Sequence, residues 1–372
     1  MKTEEFIIVL CHECDLEGGG TAIGAEELLD KIRKLGYETE FFSNAIRRKN
    51  KYRYVVSNHR MEGSSLFPGN TKEKFTKEIT NIKKRFSNYI GFIRGRKKVM
   101  LIHGDPVQYP PLQIGVKQIR FMYGADISDG WSLEDWNNIY DLFLCHGSND
   151  AAELNKRFKG KTEIMGYPRY DSYFNRELDI SSVLTEFDID SKKRTILWMP
   201  TTGQGACSIP EFAEQIASLM DRFNVVVRPH PLSFRTSPEY IELLASLNYK
   251  IDSNPLRDMN VLYKAIDFVL CDYGGSSFGA IYLDKNLILL DVSNSESSGA
   301  VINSSNLQIR EYFPVIGPED AGKIESMIDD HQLWEEQRIN RKLLFKKYFA
   351  DNRGESSRQA AKILGSLDTI LI

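Results

Sequence analysis

Short apolar runs recur along this chain, and most of them end in glycine and polar residues. The clearest is Phe268-Val269-Leu270-Cys271, long enough for a buried strand and too short for a helix. It breaks at Asp272-Tyr273-Gly274-Gly275-Ser276-Ser277. A helix-compatible stretch then runs from Phe278 to Leu283, before a second apolar run, Leu287-Ile288-Leu289-Leu290. The pattern predicts strand, Gly/Ser loop, helix, strand. A loop of this kind, opening a helix, offers backbone N–H groups and the hydroxyls of Ser276 and Ser277 to an anion. Upstream, Val225-Val226-Val227 ends in Arg228-Pro229-His230-Pro231, which puts a fixed cation and a histidine at another strand end. Ligands of open α/β sheets gather at such carboxyl ends. Together the two segments point to a site for a nucleotide-linked diphosphate.

The same alternation extends over the rest of the chain. Phe6 to Leu10 reads as a first strand, followed by Gly18-Gly19-Gly20 and a helix from Ala25 to Leu35 with Leu28, Leu29, Ile32 and Leu35 on one face. Gly36 stops it, and Glu38 to Phe42 is the next strand. The three glycines do not meet the G-x-G-x-x-G spacing of a dinucleotide fingerprint. Val99 to Ile102 is a strand ending at His103-Gly104-Asp105-Pro106, and Leu142 to Cys145 is one ending at His146-Gly147-Ser148. Thr162 to Met165 ends at Gly166-Tyr167-Pro168-Arg169-Tyr170-Asp171. Charged residues from Asp179 to Arg194 mark a linker. Beyond it, Ile196 to Met199 runs into Pro200-Thr201-Thr202-Gly203-Gln204-Gly205, and Pro210 opens a helix that buries Phe212, Ile216, Leu219 and Phe223. Another helix covers Ile241 to Leu247, and Gln332 to Leu371 is helical with a break at Asp351 to Gly354. The organisation expected is α/β: a first Rossmann-like domain over 1–178, a linker over 179–193, a second domain over 194–340 and a helical tail over 341–372.

Composition narrows the class. Hydrophobic residues make up 42% of the 372 and aromatics 11%, enough for ordinary globular cores. Five cysteines without regular spacing indicate reduced thiols and a cytoplasmic setting. No signal peptide or long apolar span is legible. The net charge of −3 hides an asymmetry: residues 44–98 carry 16 Lys and Arg against Glu62, Glu73 and Glu78, a local +13. Tyr52, Tyr54, Phe67, Phe75, Phe86, Tyr89 and Phe92 are interleaved with them. That mix suits an anionic membrane surface or a polyanionic acceptor, and equally a solvated helical face. No nucleic-acid-binding module accompanies the charge.

Several of these segments, in order, resemble the family of CDP-glycerol glycerophosphotransferases, the teichoic-acid primases and polymerases. His103-Gly104 with Pro106 resembles the family's His-Gly-Thr-Pro, and Gly166 with Pro168-Arg169 and Asp171 its Gly-x-Pro-Arg-x-Asp. Ile196-Leu197 with Pro200-Thr201, His230-Pro231, and Asp272-Tyr273 with Phe278 resemble its later motifs. The likeness covers residues ~100 to ~360. Asp105 stands where the family has Thr, Gly274-Gly275 where it has paired serines, and Gly279 where it usually has Asp. The resemblance implies a GT-B fold, two facing Rossmann-like domains with the active site in the cleft. It also implies transfer of a polyol phosphate from a CDP-linked donor to a lipid-linked or polymeric saccharide acceptor, in cell-wall or capsule synthesis. A sugar-nucleotide GT-B enzyme, either a glycosyltransferase or a UDP-N-acetylglucosamine 2-epimerase, is the alternative. A non-enzymatic GT-B scaffold docked on membranes is the second.

Under this resemblance His103 is the base that deprotonates the acceptor hydroxyl, with Asp105 to orient it. His230, stiffened between two prolines, and Arg228 face the phosphates and stabilise departing CMP. Asp272, Tyr273, Gly274, Gly275, Ser276 and Ser277 hold the diphosphate by N–H groups, hydroxyls and a helix dipole. Thr201 and Thr202 are further donors, and Gly166, Arg169 and Arg353 complete the phosphate-side set. Each has a plainer reading as a turn, cap or core residue. Cys11-His12-Glu13-Cys14, Cys145-His146 and Asp188-Ile189-Asp190 have the look of metal motifs but lack partner ligands at metal spacing. No metal or cofactor is expected. The expected location is the inner face of the cell membrane, held peripherally through residues 44–98.

Overall fold

The computed structural model describes residues 7–11, 38–42, 56–57, 100–102 and 117–370, the last apart from 123, 130–131, 203–205, 255–256, 294 and 299–300. His103, Asp105 and nearly all of the basic segment lie outside the described residues.

Three parallel sheets organise the molecule. The first has order β2-β1-β3, from β1 (Ile7–Cys11), β2 (Glu38–Phe42) and β3 (Val56–Ser57). The second has order β4-β5-β6-β7, from β4 (Met100–Ile102), β5 (Lys117–Phe121), β6 (Leu142–Cys145) and β7 (Lys161–Ile164). The third has six strands: β8 (Thr195–Met199), β9 (Asn224–Val227), β10 (Lys250–Ile251), β11 (Phe268–Cys271), β12 (Asn286–Leu290) and β13 (Val315–Ile316). Its order is β10-β9-β8-β11-β12-β13. Counted from β8, that is 3-2-1-4-5-6, the doubly wound order whose connections reverse between β8 and β11.

Both faces of the third sheet are covered, which is why its strands read as unbroken apolar runs rather than as alternation. Leu197, Val226, Val269, Leu287 and Leu289 enter one core cluster. Their chain neighbours Ile196, Trp198, Val225, Val227, Phe268, Leu270, Ile288 and Leu290 enter the other. The covering helices include α3 (Ile209–Ala217) and α4 (Pro238–Ser246) on the second face. On the first lie α5 (Met259–Lys264), α6 (Gly275–Tyr282) and α7 (His331–Tyr348). In the second sheet, α1 (Ser148–Arg157) packs on β6 and β7.

Two elements differ from the sequence reading. The charged linker contains a helix, α2 (Ser181–Glu186), whose Val183 joins Phe187 in the first-face core, so two buried apolar residues anchor a stretch read as solvated. Strand β5 was illegible because Arg120 occupies a buried position in it, with Nη1 donating to Ser132 O at 2.8 Å and to Asn137 Oδ1. A basic residue inside a five-residue strand erases the hydrophobic signature.

Beyond α7 the tail leaves the third sheet. After the break, α8 (Ser356–Gly365) docks on the loop that follows β7. Asp171 accepts the backbone N–H groups of Ser356 (3.1 Å) and Ser357 (2.6 Å), capping α8, and the Ser356 hydroxyl accepts the Tyr167 N–H at 2.9 Å. Asn352 Nδ2 donates to Met165 O at 2.9 Å, and Ala350 N–H to His146 O at 2.9 Å. Gly166 has φ of +88°, and a Cβ there would stand 2.2 Å from Asn352 Oδ1. Only glycine supplies both the conformation and the clearance.

Candidate active site

The strand order directs attention to the carboxyl ends of β8 and β11. Leaving β8, the chain turns at Pro200-Thr201; leaving β11, it turns at Asp272-Tyr273-Gly274 into α6. The two turns are tied by one side chain. Asp272 is 1% exposed, and its carboxylate accepts the N–H of Thr201 (2.9 and 3.1 Å), of Ser208 (2.8 Å) and of Tyr273 (2.7 Å), with the Ser208 hydroxyl at 2.8 Å. Trp198 Nε1 donates in turn to Ser208 Oγ at 3.0 Å. Burial lifts the Asp272 pKa to about 6 against the pull of these donors. The carboxylate therefore fastens the two loops to each other, and no lone pair is left over for a ligand.

Gly274 is the N-cap of α6 with φ of +108°, a left-handed geometry that favours glycine. Its N–H donates to Asn306 Oδ1 at 3.2 Å, and the buried Ser277 hydroxyl donates to Asn306 Oδ1 (3.1 Å) and to Gly274 O (2.9 Å). Asn306 and Ser277 thus shape the turn, leaving the first amides of α6, at Gly275 and Ser276, without an intrahelical acceptor, as at any helix start. Gly275 and Ser276 are half-buried. Thr201 lies alongside: its Oγ1 would be 3.6 Å from a Cβ built on Gly274. The arrangement is an anion cradle of backbone N–H groups, a hydroxyl and the positive end of a helix.

Around it the structure brings some of the expected residues together and places others elsewhere. Tyr273 turns away from the cradle, its hydroxyl donating to Asp291 (2.8 Å) and meeting Ser295 Oγ (2.7 Å), with the Arg310 guanidinium 4.0 Å over its ring. Arg310 also donates to Asp272 O and Leu290 O, both at 2.9 Å, so it bolts the ends of β11 and β12 together. Arg228 is 7% exposed and ion-paired to Asp252, which Arg257 Nε approaches at 2.7 Å. Burial lowers the Arg228 pKa, and its charge is engaged within the protein. His230 is half-buried at the same edge; its N–H donates to Pro200 O at 3.1 Å and its Nδ1 accepts the Leu232 N–H at 3.2 Å. With Nδ1 acting as an acceptor, the neutral ring carries its proton on Nε2.

Arg169 is half-buried and close enough to Arg228 and Asp126 to shift both electrostatically. Gly166 and Asp171 seat α8, as described above. Arg353 stacks 3.8 Å from the Phe345 ring and also faces Tyr282, at the C-terminal end of α6, opposite the end that Gly274 opens. The structure does not bring it to the cradle. Sequence reading missed Asp252, Ser208, Asn306, Arg310 and Asp126. None carries a spacing signal; each is a single polar residue delivered by tertiary contact. Among the described residues, no three His, Cys, Asp or Glu side chains cluster as metal ligands.

A doubly wound sheet preceded by a second parallel sheet, each with polar strand ends, is the arrangement of the GT-B fold. Solved structures agree on the fold. The wall teichoic acid polymerase TagF superimposes with TM-score 0.62 at 13% identity, covering 97% of this chain and 88% of that one. MurG of Acinetobacter baumannii gives 0.50 at 11% identity (96% and 99% covered), and sucrose-phosphate synthase of Thermosynechococcus elongatus 0.53 at 12% (98% and 100%). The CDP-Glycerol:Poly(glycerophosphate) glycerophosphotransferase family matches over residues 75–296, and the chain belongs to that family. It is a transferase of the CDP-glycerol glycerophosphotransferase type. No curated protein matches the sequence significantly.

Proposed function

We propose that this enzyme moves a polyol phosphate, glycerol phosphate first among candidates, from a CDP-activated donor to an acceptor hydroxyl and releases CMP. The observation that carries the reading is the cradle at Gly274–Ser277, set at the β8/β11 switch point inside the family match. A TagF variant was solved after soaking with CDPG, which supports the same donor class here. The acceptor oxygen attacks the phosphorus that bears the polyol, and its proton passes to a base, assigned by family resemblance to His103. The bond from that phosphorus to the bridging oxygen breaks, and the electron pair leaves with CMP. Charge grows on the departing phosphate, where the α6 amides, Ser276, Thr201, Thr202 and His230 Nε2 supply donors. Arg169 adds a nearby cation.

The acceptor end of the reading is a lipid-linked or polymeric saccharide, reached from the membrane surface. Residues 44–98 hold the enzyme there by attraction of their basic residues to anionic headgroups. No described helix is long and apolar enough to cross a membrane. The test offers CDP-glycerol, CDP-ribitol and UDP-sugars separately with a lipid-linked disaccharide and follows the nucleotide released. CMP from a CDP-polyol is the expected result; UMP, UDP or an epimerised sugar sinks the reading.

A further inference from the structure

Asp126 belongs to the loop after β5, in the first half of the chain, yet its carboxylate stands against the cradle of the second. A Cβ built on Gly275 would lie 3.2 Å from Asp126 Oδ1, and one built on Gly124 would lie 2.3 Å from the same oxygen. Two glycines therefore flank this carboxylate and keep the space beside it open. The loop is fixed to the second half by Ser305, whose hydroxyl accepts the Ile127 N–H at 2.8 Å and whose N–H donates to Ile127 O at 2.8 Å. The neighbouring Asn306 is the residue that holds Gly274 and Ser277. One short segment thus sets the distance between Asp126 and the cradle.

Among the described residues, only its own backbone N–H donates a hydrogen bond to this carboxylate. Arg169 and His146 act on it through space, and burial raises its pKa to about 6. Above that pH it is an anion with unfilled lone pairs, a few ångströms from where another anion is to sit. A diphosphate offers it nothing but acceptor oxygens, so the two repel. The repulsion turns into binding where a neutral group rich in O–H donors, covalently attached to the phosphate, lies between them. With the nucleoside of a CDP-polyol seated against the doubly wound sheet that carries the cradle, the polyol would extend toward the first half of the chain, from which Asp126 comes.

We propose that Asp126 binds the hydroxyl groups of the polyol unit that is transferred, and so selects donors by what is esterified to the distal phosphate. This inference rests on the donor class proposed above. Carboxylate–hydroxyl bonds are charge-assisted and discriminate strongly against partners that lack the hydroxyl.

The test measures affinity by titration calorimetry for CDP and CDP-glycerol, in wild type, Asp126→Ala and Asp126→Asn. In Asp126→Ala, CDP-glycerol binding is expected to fall about ten- to hundredfold. CDP binding is expected to hold or tighten, because a like charge has been removed. Asp126→Asn retains one acceptor oxygen and falls between. Retained CDP binding also certifies that each variant is folded. Equal affinity of wild type and Asp126→Ala for CDP-glycerol overturns the assignment while leaving the donor reading intact. A parallel loss of CDP and CDP-glycerol overturns it too, since the residue then serves the nucleoside or the fold. Wild type that binds neither compound overturns the donor reading and this inference with it.

Discussion

Asp171 and Ser357 are 186 residues apart in the chain, and the Asp171 carboxylate accepts the Ser357 backbone N–H at 2.6 Å. This single contact, doubled by the Ser356 N–H, fixes where the last long helix returns. The Gly-x-Pro-Arg-x-Asp segment is therefore a docking seat for α8.

Replacing Asp171 with Ala removes an N-cap and leaves two buried amides unpaired, at a cost of about 2–4 kcal/mol. Urea unfolding should show the loss, and limited proteolysis should cut first near α8. Cleavage spread evenly over the protein would contradict the capping role.

Asp252 sits between two buried guanidinium groups, Arg228 and Arg257. Asp252→Ala strands the buried Arg228 charge, while Arg257 keeps Glu186 as its partner, and stability should drop by about 3–5 kcal/mol. Combining it with Arg228→Met should recover part of the loss, a non-additivity that a double-mutant cycle in urea reads directly.

The raised pKa of Asp272 gives stability a pH dependence of defined sign. The native carboxyl holds its proton up to about pH 6, whereas the unfolded one releases it near 3.9, so the native state binds more protons in that window. Stability should rise as pH falls from 7 toward 5, with Asp126 contributing in the same direction. Asp272→Asn should flatten the slope in part and weaken donor binding, because one of the two oxygens that accept from Thr201 and Ser208 becomes an NH2 donor. A stability profile that falls over the same range rules this out.

Two histidines divide the chemistry of the proposed transfer. His103→Ala should abolish turnover and leave donor affinity nearly intact, because a base acts on the acceptor's proton. His230→Ala should weaken donor affinity and turnover together. Calorimetry and steady-state kinetics on both variants separate the roles, and a reversed pattern would exchange them.

The sequence discloses strands β6 and β11 to the residue because each is an uninterrupted apolar run covered on both faces. It discloses the cradle because Gly274 must adopt a positive φ, a demand written into residue type. Asp171 was visible as part of a motif and α8 as part of a helical tail, but their contact was not, since a cap across 185 residues leaves no local pattern. Strand β5, with Arg120 inside it, and β10 and β13, two residues each, fall below what periodicity can register. Asp126 and Asn306 are the sharper lesson: the first lies in a loop, the second in a short helix (Ser305–Ile309), both among small polar residues, and only the close approach of two distant segments gives either a task.

The returning tail also orders events during synthesis. The seat at Gly166–Asp171 is translated early, but its occupant, α8, emerges only after every strand of all three sheets has left the ribosome. Until the tail is made, Tyr167 lacks its stacked neighbour Phe349, and the Asp171 carboxylate lacks the amides that neutralise it. Completion of the first half is thus deferred until 186 further residues have been made. An interrupted nascent chain lacking α8 presents an aromatic and acidic surface that the finished protein conceals.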